Sequence, residues 1–75
     1  MAAFTGKVVR RAFAAGSKSE RMAVILETPE GDYVLRREGG NAFSDPVLEH
    51  LVGKRIVAEG TLHDYTLIIS EFQDV

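Results

Sequence analysis

The chain has no cysteine and no tryptophan, only two prolines and two histidines, and no apolar run near the roughly 20 residues that a membrane-crossing helix requires. Without cysteine there are no disulfides. Two histidines, His50 and His63, do not make up the four-ligand set of a structural zinc site, so neither common staple of very small folds is in view. The lack of cysteine is also compatible with a reducing compartment. The opening stretch from Met1 to Lys7 has no basic segment followed by a long apolar core, so it does not read as a secretory signal, and a cytoplasmic location without a membrane partner is expected. Nor is there a large excess of one charge: the formal net charge of -2 argues against a strongly basic nucleic-acid binder.

What is present fits one small domain spanning 1–75, with 45% hydrophobic and 27% charged residues. A domain of this size buries only about 60% of the surface its unfolded chain exposes, so self-association would help it. The charges are unevenly spread. Residues 1–37 hold seven cations against four anions, a balance of +3, and residues 38–75 hold two cations against seven anions, a balance of -5.

Turn signals punctuate the chain at regular intervals, with no repeat and no low-complexity stretch between them. Phe4 to Ala14 reads as a first strand, closed by the polar loop Gly16-Ser17-Lys18-Ser19-Glu20. Met22 to Thr28 is a short apolar run, a second strand. Pro29-Glu30-Gly31-Asp32 supplies a hairpin turn, and Tyr33 to Arg37 a third strand. After Gly39-Gly40-Asn41, Asp45 is placed to cap a two-turn helix with Pro46 at its first position, Val47, Leu48, Leu51 and Val52 at helical spacing, and Gly53 past its end. Lys54 to His63 alternates as a fourth strand, with Ile56, Ala58, Gly60 and Leu62 on one face. Asp64-Tyr65 turns the chain into a fifth strand over Thr66 to Phe72.

This β-β-β-α-β-β order, from about Phe4 to Phe72, resembles the OB-fold, an all-β, five-stranded, partly open barrel with one short helix between strands three and four. The segment Gly53-Lys54-Arg55-Ile56-Val57-Ala58-Glu59-Gly60-Thr61-Leu62, followed by Leu67-Ile68-Ile69, is similar to the last two strands of many small bacterial OB domains. Gly6 and Gly60 sit where a tightly curled strand has use for a residue without a side chain. The resemblance implies a binding module rather than an enzyme, with single-stranded nucleic acid or an oligosaccharide held on the face of strands two and three and by the adjoining loops. The aromatic-glycine-aromatic motif of cold-shock domains is absent.

The cationic half of the chain coincides with strands one to three. If Val8 points inward, Lys7, Val9, Arg11 and Phe13 point outward; if Val34 points inward, Tyr33, Leu35 and Arg37 point outward. Lys7, Arg11, Phe13, Lys18, Arg21, Tyr33, Arg37 and Tyr65 are therefore the candidate nucleic-acid contacts, the arginines for phosphates and the aromatic rings for stacked bases. A plainer reading keeps Arg10, Arg11, Arg36 and Arg37 as solvated strand residues with their heads near Glu27 or Glu38. The loop around Lys18 and Arg21 offers hydroxyls and cations to a phosphate but lacks the P-loop spacing. No nucleophile elbow, spaced triad, metal motif or cofactor motif is present, so neither catalysis nor a cofactor is expected. The alternative function is protein interaction or self-association. Leu67-Ile68-Ile69 is apolar on both faces, with Phe72 and Val75 close behind.

Overall fold

The computed structural model describes residues 2–13, 21–40 and 45–75. Five strands and one short helix occur in the expected order: β1 (Ala2–Phe13), β2 (Arg21–Thr28), β3 (Gly31–Arg37), α1 (Pro46–Leu51), β4 (Arg55–His63) and β5 (Thr66–Asp74). The strands form one sheet that closes in a ring in the order β1-β2-β3-β5-β4. All neighbours are antiparallel except β3 and β5, which run parallel with Val34 beside Thr66 and Leu35 beside Leu67. Two strands with so long a connection between them can run parallel, whereas the hairpins β2–β3 and β4–β5 cannot. Among the described residues no helix is long and apolar enough to cross a membrane.

Strand alternation sends one set of side chains into the ring. Val8, Leu26, Leu35, Ile56, Ala58, Leu67 and Ile69, drawn from all five strands, form one buried cluster with Leu48 and Leu51 of α1. Burying a side chain of this size contributes about 1.5–3 kcal/mol, so these nine positions supply the main favourable term. The helix thus closes one end of the ring with Leu48 and Leu51 inward, while Val47 and Val52 remain exposed. At the other end Phe4 meets Tyr33 edge to face, with ring centroids 5.7 Å apart.

Closing a ring of five strands needs sharp bends. β1 pairs with β4 over Ala2–Lys7 and with β2 over Lys7–Phe13, and at the crossover a Cβ on Gly6 would overlap the Glu27 carbonyl. A Cβ on Gly60 would likewise overlap the Ile68 carbonyl. There β4 and β5 slip register, because Glu59 faces Glu71 while Gly60 faces Ile69, which leaves Ser70 as an extra residue. The bulge shifts the alternation of β5 and lets Phe72 pack against the core.

The local signals act as their chemistry dictates. Thr28 Oγ1 accepts from the Glu30 and Gly31 amides at 3.2 and 3.1 Å and donates to the Gly31 carbonyl, tightening the β2–β3 turn. Asp45 caps α1 by accepting from the Val47 amide at 3.0 Å. Gly53, just past the helix, adopts φ +90°, a conformation that L side chains avoid. Asp64 takes φ 55° in the β4–β5 turn, which aspartate tolerates better than most residues.

One expectation reverses. Leu35, not Val34, points into the ring: Leu35 is buried in the core and Tyr33 packs against it. Tyr33, Leu35 and Arg37 therefore share the inward face, and Val34 and Arg36 the outward one. Three consecutive apolar residues, Tyr33-Val34-Leu35, satisfy a period of two in either phase, and the parallel pairing with β5 selects one.

Candidate functional site

The outward surface of β1, β2 and β3 is built by register. Val9 lies beside Ile25 and Ile25 beside Val34, making an apolar row across three strands that Thr66 of β5 ends. Ile25 is fully buried although it points away from the Leu26 side, so both faces of β2 are covered at its centre. Around the row stand Lys7 and Arg11 of β1, Glu27 of β2, and Asp32 and Arg36 of β3. Tyr65, in the β4–β5 turn, is 69% exposed and accepts the Val34 amide through its carbonyl, which fixes the turn against β3.

The charges on this face are not all available to a ligand. The Arg11 guanidinium donates to Asp32 Oδ2 at 2.6 Å and lies 3.6 Å from Glu27 Oε2. Arg11 reaches across the Val9–Ile25–Val34 row to make these contacts, since Lys7, Glu27 and Asp32 form the cross-strand row on its far side. Lys7 and Arg36 are exposed and form no ion pair among the described residues. Counting Lys7, Arg11 and Arg36 against Glu27 and Asp32, the face carries a balance of +1.

Arg10 and Arg37 lie at the helix end of the ring, on the inward side. Arg10 reaches α1, with Nη1 donating to both Glu49 carboxylate oxygens at 3.0 and 3.1 Å. Arg37 forks onto Asp45, with Nε to Oδ2 at 2.7 Å and Nη2 to Oδ1 at 3.0 Å. The Asp45 side chain is only 4% exposed. The hydrogen bonds from Arg37 lower its pKa below the usual carboxylate value; burial opposes this, and the Val47 amide adds to the lowering. The Arg37 pKa is raised by the same hydrogen bonds. This pair, with its carboxylate buried and its arginine side chain 39% exposed, fastens β3 to the helix cap and commits the Nε–Nη2 edge of Arg37 to Asp45.

The candidates named from the sequence therefore separate. Lys7 and Arg11 share the outward face, with Tyr65 at its margin, while Tyr33 and Arg37 lie inward and are withdrawn from it. Lys18 and the loop around it lie outside the described residues. Phe13 and Arg21 pair with each other at the end of β1–β2, where the backbone is described but the side chains are not. His63 and His50 are exposed, and no three His, Asp or Glu side chains among the described residues are grouped to hold a metal ion. The sequence reading missed Arg36, whose placement depends on the phase of β3. It also missed Asp32 as the partner of Arg11, although the two-residue hairpin loop already brings that carboxylate opposite Glu27.

No family model matches this chain, and no curated protein or solved structure matches it.

Proposed function

We propose that this chain is a non-enzymatic, cytoplasmic binding module of OB-like architecture that holds a short single-stranded nucleic acid weakly on the outward face of β1, β2 and β3. The strand order supports the architecture, since an OB domain closes five strands with its helix between the third and fourth. The observation that carries the ligand is half-buried Val9 and Val34 on either side of the covered Ile25, flanked by Lys7 and Arg36, two cations without ion pairs among the described residues, and by the exposed Tyr65. Apolar surface and one aromatic ring accept base faces of any sequence, and the cations meet phosphates.

Two phosphate contacts, at about 0.7 released counterion each, give a log-log salt slope near -1.4. The test is a titration of labelled mixed-sequence single-stranded DNA and RNA at several salt concentrations. Arg36→Glu should abolish binding, and Arg11→Ala should change it little. No binding to either nucleic acid at low salt would sink this reading. The second reading, a protein ligand on the same face, is favoured by the Arg11 pairs with Glu27 and Asp32, because a neutralised polar rim around an apolar centre is the usual anatomy of a protein interface.

A further inference from the structure

The opposite side of the ring, formed by β1, β4 and β5, carries a different pattern. Its outward residues fall into three rows. Ala3, Glu59 and Glu71 make one, Thr5, Val57 and Gln73 the next, and Lys7 and Arg55 the third. Two like-charged pairs thus stand directly opposite each other across neighbouring strands: Glu59 with Glu71, and Lys7 with Arg55. Like charges in this position destabilise a sheet. None of these four side chains forms an ion pair among the described residues; Lys7 also has Glu27 beside it on β2 without a salt bridge. Between the two charged rows lies half-buried Val57, and an open groove of about 570 Å³ runs along Val57, Glu59, Glu71, Phe72 and Gln73. The four steps from Arg55 to Glu59 span about 13 Å of strand.

A face that is cationic at one end and anionic at the other is complementary to itself when turned end for end. We infer that this face binds a second copy of the chain about a twofold axis passing through the Val57 row, across the strands. That operation sets Val57 against Val57 and Arg55 of each copy over Glu59 of the other, the reciprocal pattern of an isologous dimer. Arg55 and Glu59, one from each like-charged pair, then find an opposite charge in the partner, while Lys7 falls over Ala3 of the other copy. This face shares Lys7 with the β1–β2–β3 surface proposed for ligand, but Arg55, Val57 and Glu59 lie outside that surface, so variants at Arg55 and Glu59 test the dimer separately.

The two like-charged rows give the experiment an internal control. Arg55→Glu places a carboxylate opposite Lys7, and Glu59→Arg places a cation opposite Glu71, so each substitution removes a repulsion within its own copy while creating one across the dimer. Sedimentation equilibrium of the wild-type chain should show a weak dimer, dissociating at roughly 10 μM to 1 mM, as suits a small interface. R55E and E59R should each weaken it at least about 100-fold. The monomers should unfold at a higher urea concentration than the wild-type monomer. Mixing R55E with E59R should give a heterodimer, and the double variant R55E/E59R should dimerise by itself. Should a charge reversal fail to fold, Arg55→Gln and Glu59→Gln carry the same test at smaller amplitude. The inference is overturned by a wild-type chain that stays monomeric at roughly 1 mM. A dimer indifferent to both reversals, or two monomeric variants that do not pair when mixed, would overturn it equally.

Discussion

The chain carries two Arg-Arg pairs, Arg10-Arg11 on β1 and Arg36-Arg37 on β3, and the structure treats them by one rule with unequal results. Alternation splits each pair, sending Arg10 and Arg37 inward toward the helix end of the ring and Arg11 and Arg36 outward. On β1 both guanidiniums meet exposed carboxylates, Arg10 with Glu49 and Arg11 with Asp32 and Glu27. On β3 the inward arginine meets a buried carboxylate that is already a helix cap, and the outward one meets none among the described residues. Exposed pairs gain little because water screens the attraction and two long side chains must be held still. The Arg37–Asp45 pair differs because its carboxylate has lost its water and depends on the partners it has, whereas the arginine side chain is 39% exposed. Adjacent residues of one type thus take three different energetic roles, set by the burial of what they face.

The largest effect should come from removing the buried carboxylate. Asp45→Ala removes the helix cap and the partner of Arg37; loss of the cap alone should lower stability by roughly 1–2 kcal/mol in urea unfolding, without a change in m. Asp45→Asn keeps the capping oxygen and should lose less. An unfolding series against pH sharpens the contrast. Asp45 has a depressed folded pKa, so its contribution is fully present above the ordinary carboxylate value of 3.8 and is lost as pH falls from there through the lower folded value. Wild-type stability should therefore fall more steeply than that of Asp45→Asn below about pH 4, and the two curves should run parallel above about pH 5.

The exposed pairs should respond less. Arg11→Ala should cost about 0.5 kcal/mol, and a double-mutant cycle on Arg10 and Glu49 should return a coupling below about 0.5 kcal/mol that vanishes in high salt. A coupling several times larger would place the β1 pairs with the β3 pair and erase the contrast. Arg36→Glu should change stability least, within about 0.5 kcal/mol, while removing nucleic-acid binding. A variant that loses stability and binding together would show that Arg36 supports the fold rather than the ligand.

Much of the fold was legible in residue order. Pro29 to Gly31, Asp45-Pro46, Gly53 and Asp64 act within a few residues of themselves, so their roles do not depend on what the rest of the chain does. The strands between them were found to within two or three residues at each end. The candidate site was less legible. The inward phase of β1 follows from Val8 between two charged or half-buried neighbours, whereas Tyr33-Val34-Leu35 is apolar throughout and carries no phase of its own. One residue of phase moved Tyr33 and Arg37 out of the proposed surface and brought Arg36 into it.

Residue order and composition thus set the turns, the cap, the order of elements and the absence of disulfides, because these rest on local backbone preference and residue type. Tertiary structure alone decided which arginines are neutralised, that Glu59 faces Glu71, and that Lys7 faces Arg55. Those relations arise from register between strands far apart in the chain. Register follows from the burial of a whole face at once, a sum over many residues that no single segment contains.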